Sequence, residues 1–279
     1  MANFPYFWDS FDSMTKIKFG TDGWRAIIAL DFTVDNVARV TEATSKWLLK
    51  QHKQPSVVLG HDCRFAGELF AETTAKVFIA NGVKVFLAKD FVSTPMISLG
   101  AVKLKTSLGI IITASHNPPS YNGYKIKGAY GGPLTPEHVQ EIEDIIPESA
   151  NPSWKSVQLN EARTSGMLET APLEDMYIKH VEENFDLAAI KNSGLNLAYD
   201  AMFGAGQRVM QRLFPHIDKL VCCVYYSEQC CGHGQPSPYT PEPSPSLGIS
   251  FNPPATRCMS LPFLSMPTSS ILGSPFLRP

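Results

Sequence analysis

Apolar positions along the first 150 residues switch repeatedly between strand-like and helix-like periods. Ser56-Val57-Val58-Leu59-Gly60 and Leu108 to Ile112 are short, uncharged runs rich in β-branched residues, the pattern of buried strands. Between them the period lengthens. Val37, Val40, Thr44, Trp47 and Leu48 recur at helical spacing behind Thr33, a capping residue type, while Arg39, Glu42 and Lys46 fall on the other side. A second helical pattern (Leu69, Phe70, Thr73, Val77, Phe78) runs from Ala66 to Asn81 and is closed by Asn81-Gly82. Val83 to Leu87 is the next strand, and Thr94-Pro95 opens a helix to about Leu104. After Gly131-Gly132-Pro133, Thr135-Pro136 starts a helix that continues to Ile146. Ile17-Lys18-Phe19 alternates like a short strand and enters a turn at Asp22-Gly23. This alternation predicts a layered α/β domain over about Lys16 to Pro147, its parallel strands joined by right-handed crossovers.

Beyond it the pattern thins. Asn151 to Thr170 reads as a linker with a short hairpin, Leu173 to Phe185 as a helix and Leu195 to Tyr199 as a strand. Gly204-Ala205-Gly206 then turns into a helix through Val209, Met210 and Leu213; without a third glycine it is weak evidence for nucleotide binding. From Val221 onward the charged residues are only Glu228, Glu242, Arg257 and Arg278, while 11 of the 22 prolines and five of the six cysteines lie there. A segment so rich in Pro and Ser cannot bury enough apolar area to offset its ordering entropy, so disorder is expected from 222 to 279. The abrupt change of character leads to the expectation of a frameshift or misjoined reading frame near residue 221. Cys222-Cys223 and Cys230-Cys231 with His233 lack the spacing that turns two thiolates onto one zinc ion.

Composition adds exclusions. A net charge of −2 gives no basic surface for nucleic acid, and no run of 18 apolar residues suggests a membrane span or a signal peptide. The cytoplasm is the expected compartment.

The chemistry gathers at Thr113-Ala114-Ser115-His116-Asn117-Pro118-Pro119. The prolines forbid a helix or central strand here, so Ser115 is presented on a tight loop at the end of the Leu108–Ile112 strand. The chain returns through Tyr121-Asn122-Gly123-Tyr124-Lys125-Ile126-Lys127, where Asn-Gly signals a turn and two lysines alternate with Tyr124 and Ile126. Ser-His-Asn-Pro is also what an ordinary surface turn looks like. Two further turns carry charge: Arg25, after Asp22-Gly23, can fork onto a phosphate, and Asp62 with Arg64 can brace loops at the end of the Ser56–Gly60 strand. A serine hydrolase is a poor fit, because Gly-x-Ser-x-Gly is absent and an adjacent histidine does not by itself reach its neighbour's hydroxyl.

Thr-Ala-Ser-His-Asn-Pro followed by Asn-Gly-Tyr-Lys resembles the phosphoserine loop of the α-D-phosphohexomutases, the phosphoglucomutase and phosphomannomutase family. Phe19-Gly20-Thr21-Asp22-Gly23-Trp24-Arg25 is similar to that family's amino-terminal signature, and Gly60-His61-Asp62-Cys63-Arg64 to its Gly-x-Asp-x-Arg turn. The resemblance covers about residues 16 to 220. It implies a layered α/β/α first domain with a mixed sheet over 16–148, a linker over 149–172 and an incomplete second α/β domain over 173–221, behind an amino-terminal extension over 1–15. It also implies that Ser115 carries a phosphoryl group exchanged with a hexose phosphate through a hexose 1,6-bisphosphate. Lys125 or His116 would then act on the accepting hydroxyl's proton or stabilise charge, Arg25 and Asn117 would hold phosphate, and Asp62 and Arg64 would support the loop. Mg²⁺ would bind the phosphate on Ser115, yet the family's Asp-Gly-Asp-x-Asp-Arg metal loop occurs nowhere in the sequence. That omission keeps a second expectation open, a catalytically inactive remnant or a module that binds a phosphosugar without turning it over.

Overall fold

The computed structural model of the chain describes residues 17–193, 197–199, 201, 204–214 and 220–222. The expected amino-terminal extension, the cysteines from Cys223 onward and the Pro/Ser-rich tail lie outside the described residues.

A six-stranded mixed sheet carries the fold. Its strands are β1 (Trp24–Ile27), β2 (Ser56–His61), β3 (Lys84–Ala88), β4 (Leu108–Ile112), β5 (Tyr121–Gly128) and β6 (Leu168–Ala171), in the spatial order β1-β5-β4-β2-β3-β6. Strands β4, β2, β3 and β6 run parallel, whereas β5 is antiparallel to both β4 and β1. Helices α1 (Val34–Gln51), α2 (Gly67–Ala80), α3 (Thr94–Lys103) and α4 (Pro136–Glu143) connect or flank them. Neighbouring strand residues face opposite sides, so the central strands β2, β3 and β4 feed two cores. Val57, Leu59, Ile110, Ile112 and Tyr124 pack with α1 and α2, while Val58, Ile111 and Ala88 pack with Met96, Ile97 and Ala101 of α3. Burial on both faces explains why β2 and β4 read as continuous apolar runs rather than alternating ones.

Local signals set the helix ends. The Thr33 hydroxyl accepts a hydrogen bond from the Asn36 amide at 3.2 Å, and Gly82 closes α2 in the left-handed region at φ +79°. Beyond α4, a 3₁₀ turn (Pro152–Ser156) and α5 (Leu159–Thr164) precede β6; α6 (Leu173–Asn184) and α7 (Leu187–Asn192) follow it. The short strands β7 (Leu197–Tyr199) and β8 (Leu220–Cys222) pair in parallel, with α8 (Val209–Leu213) between them in sequence.

Four expectations need correction. Ile17 to Phe19 is not a strand; the edge strand is β1, so Arg25 sits on a strand rather than in a turn. Asn122-Gly123 lies inside β5, because the reversal is completed earlier, over 113–120. Part of the stretch expected as a linker, Leu168–Ala171, is strand β6, which extends the sheet in parallel beside β3. Its four residues were too few to show a period. Glu42, placed on the solvent side of α1, is buried at 5% exposure because the Asn151 amide donates to its carboxylate at 2.5 Å and Lys46 pairs with it at 2.7 Å.

Candidate active site

Ser115 stands just past the carboxyl end of β4, where parallel strands open onto a crevice. Its φ of +58° is left-handed, a region that non-glycine residues enter only when their surroundings hold them there. Two bonds do so. The Ser115 amide donates to Thr113 Oγ1 at 3.0 Å, and its carbonyl accepts from Arg64 Nη2 at 2.9 Å. The side chain itself is exposed.

Arg64 is the centre of this loop although it belongs to a different turn. The residue is 6% exposed, and its guanidinium donates to four carbonyls: Pro118 at 2.8 Å and Tyr121 at 2.9 Å from Nη1, Ser115 at 2.9 Å and Asn117 at 2.5 Å from Nη2. A planar fork of five donors can grip a curved stretch of backbone in this way, which an ammonium cannot. Asp62 orients the fork. Asp62 Oδ2 lies 3.6 Å from Arg64 Nε, Oδ1 accepts the Arg64 amide at 2.9 Å, and the Thr113 hydroxyl donates to Oδ2. Burial pushes the Asp62 carboxyl above the ordinary carboxylate value, against the opposing pull of Thr113 and Arg64. Thr113 therefore links the carboxylate to the Ser115 amide.

A cavity of about 180 Å³ opens beside Ser115, lined by Asp62, Cys63, Arg64 and Thr113 on one side. Ser93 and Thr94, at the amino end of α3, and Gly204 and Ala205 contribute its other walls. The free amide dipoles of a helix start favour negative charge there. Burial, reinforced by Asp62, pushes the Cys63 thiol up to about 12, so it is held as a neutral thiol.

The remaining expected residues divide into two groups. Arg25 Nη1 donates to Asn117 Oδ1 at 2.7 Å, which brings β1 to the loop. His116 Nδ1 lies 3.5 Å from Ser115 Oγ, at the outer limit of a hydrogen bond. Lys125 is on β5 and its ammonium binds Asp22 Oδ2 at 2.7 Å, while Lys127 binds Asp22 Oδ1 at 2.8 Å. Burial works against ionising Asp22, but the two ammonium groups outweigh it and hold the carboxyl below the ordinary range. Sequence reasoning did not single out Thr113 or Asp22. Both stood inside motifs already noted, Thr113 in the Ser115 loop and Asp22 in the Phe19–Arg25 signature, but Asp22 is 103 residues from Lys125 and carried no local sign of its partner.

Among the described residues no three His, Cys, Asp or Glu side chains are grouped to hold a metal ion. The carboxylate that lines the cavity beside Ser115, Asp62, is already engaged by Arg64 and Thr113. Among the described residues, that carboxylate is therefore not free to hold a resident Mg²⁺.

A family profile described as phosphoglucomutase/phosphomannomutase, alpha/beta/alpha domain I, matches residues 16–153. The chain is 33% identical over 260 residues to a phosphoribomutase of Saccharomyces cerevisiae, covering 86% of this chain and 40% of that protein. It is 30% identical over 211 residues to a phosphoglucomutase of Staphylococcus haemolyticus, covering 73% and 38%. The crystal structure of a Thermus thermophilus protein assigned as a phosphomannomutase superposes with a TM-score of 0.66 at 34% identity, over 75% of this chain and 46% of that one. The chain thus spans about two-fifths of the curated relatives it matches.

Proposed function

The chain belongs to the phosphoglucomutase/phosphomannomutase family, with that family's α/β/α domain I at residues 16–153, and from this premise we propose that Ser115 is the phosphoryl carrier of a phosphosugar mutase. The observation that supports this reading most is the loop itself. An exposed serine is held in a left-handed conformation by a buried guanidinium, beside a cavity that opens onto a helix amino terminus. Strain of this kind collects at functional sites, where it fixes a reacting group before substrate arrives.

In this reading phosphoserine 115 gives its phosphoryl group to a free hydroxyl of a hexose monophosphate. The hydroxyl's proton leaves as the new P–O bond forms, and the serine oxygen is released. The bisphosphate then reorients and returns its other phosphoryl group to Ser115, so that phosphate moves between C1 and C6. Phosphoryl transfer depends more on positioning and charge neutralisation than on covalent chemistry. Arg25, joined to the loop through Asn117, offers a forked donor for phosphate oxygens. Lys125 and His116 are the candidates for the hydroxyl's proton, while Asp62 and Arg64 hold the loop. The site acts in the aqueous compartment of the cell, and no described helix is long and apolar enough to cross a membrane.

A second reading concerns the sugar. The yeast relative that matches over 260 residues is a phosphoribomutase, which favours a pentose phosphate as an alternative substrate. Both are tested together. The chain is incubated with Mg²⁺ and either glucose 1,6-bisphosphate or ribose 1,5-bisphosphate, followed by intact-mass measurement and peptide mapping. One phosphate should be gained, on Ser115, and the faster donor identifies the sugar. A Ser115 that stays bare with both donors, or phosphate mapped to another residue, would overturn the reading.

A further inference from the structure

Lys125 and Lys127 are both buried, at 4% and 5% exposure, and among the described residues they share a single carboxylate. Two ammonium groups against one Asp22 leave a surplus positive charge among the described residues. The arrangement is built closely. A Cβ on Gly23 would meet the Tyr124 carbonyl oxygen at 2.6 Å and Lys125 Cγ at 2.8 Å, so the turn carrying Asp22 lies flush against β5. Across the ladder Lys125 pairs with Ile111, and directly opposed residues share a face of the sheet. Ile111 also lines the cavity that holds Ser115. Lys127 pairs with Gly109, two positions farther from the loop, or about 7 Å along the strand.

We propose that Asp22 and Lys127 are positioning residues that make Lys125 a releasable cation. When Ser115 carries phosphate, Lys125 leaves Asp22 for the phosphoryl oxygens, and Lys127 stays behind so that the carboxylate is never left unpaired. A phosphoserine brings about −1.5 to −2 charges at neutral pH, which the surplus cation partly offsets. With only one lysine on Asp22 the same move would strand a half-buried carboxylate, and Lys125 would be held in place. Position along the strand decides which lysine moves, since Lys125 is the nearer to the Ser115 end. The inference rests on the reading of Ser115 as the phosphoryl carrier.

The test installs the phosphate directly. The full chain is made with phosphoserine incorporated at position 115 by codon expansion and with ¹⁵N-labelled lysine, and the Nζ resonances are compared with those of the unphosphorylated chain. Lys125 should shift and gain a correlation to ³¹P, while the Lys127 resonance and the Asp22 carboxyl remain coupled. An unchanged Lys125, or movement of Lys127 in its place, overturns the inference. Lys127→Met should cut the Lys125 response to less than half, and Lys127→Arg, which keeps a cation on Asp22, should restore it. An equal response in Lys127→Met would also overturn it. If that variant does not fold, the comparison in the unmutated chain decides alone. Because the phosphate is built in, failure of Ser115 to accept phosphate from a bisphosphate donor counts against the mutase reading and not against this one.

Discussion

Replacing Arg64 with methionine measures how much of the Ser115 loop is held by one side chain. Methionine keeps most of the apolar stem and removes only the guanidinium, so packing is disturbed little. Four hydrogen bonds disappear, to the carbonyls of Ser115, Asn117, Pro118 and Tyr121. Bonds from a charged donor contribute about 1.5–3 kcal/mol each, but water can reach carbonyls on an exposed loop, and about 1 kcal/mol apiece gives about 4 kcal/mol in all. The contact of Nε with Asp62, at 3.6 Å, is lost as well, but Asp62 keeps the Arg64 amide and the Thr113 hydroxyl, so its carboxylate is not left unpartnered and the four carbonyl bonds set the magnitude. At about 2–4 °C per kcal/mol for a body of this size, the melting temperature should fall by about 8–16 °C. Circular dichroism on heating gives that number, and hydrogen exchange localises it. The amides of Asn117 and Tyr121, bonded to Ala114 O at 3.1 Å and Pro118 O at 3.0 Å, should lose protection before the strands do. A fall of less than about 3 °C with unchanged protection at both amides would refute the reasoning, because the loop would then hold itself.

Gly23→Ala should cost about 2–4 kcal/mol in urea unfolding, since φ is +108° and the new methyl would meet Tyr124 O and Lys125 Cγ; a neutral change would mean that the turn stands off β5. Asp22 contributes stability in a pH-dependent way. Burial opposes its ionisation, but Lys125 and Lys127 win, so its folded value lies below the ordinary 3.8. A carboxyl lowered in the folded state contributes stability that is present above the unfolded value and is lost as pH falls towards the folded one. Denaturation curves taken from pH 5 downward should therefore show a shallower acid loss in Asp22→Asn than in the unaltered chain, and identical slopes would contradict the pairing. The Cys63 thiol, pushed from its ordinary 9.0 to about 12, carries about a thousandfold less thiolate than an unperturbed thiol. Alkylation at pH 8 followed by peptide mapping should find it modified far more slowly than a model thiol. Ser115→Ala should stay within about 0.5 kcal/mol of the parent's stability, because the side chain is exposed, while phosphate incorporation disappears.

Much of the fold was legible in the sequence because its signals are local. The apolar runs of β2 and β4, the spacing of α1 and α2 and the Asn81-Gly82 stop each lie within a window of a few residues, which is the range over which backbone period and burial are coupled. The site was legible in part for the same reason. Ser115 at a strand end and Asp62 with Arg64 at another are short motifs, and the tertiary structure brings the two turns together across neighbouring strands β2 and β4. What the sequence did not determine is pairing over distance. β1 and β6 are four-residue edge strands, too short for a period to appear, and they exist because β5 and β3 offer unpaired backbone groups beside them. The partners of Arg64 are carbonyls 51 to 57 residues away, and a carbonyl has no residue type to read. Lys125 and Lys127 look in sequence like the solvated face of a hairpin. Among the described residues, the layer of α3 on that face and the turn bearing Asp22 cover them, since a lysine enters a fold when a carboxylate arrives with it, and this one comes from 103 residues upstream of Lys125.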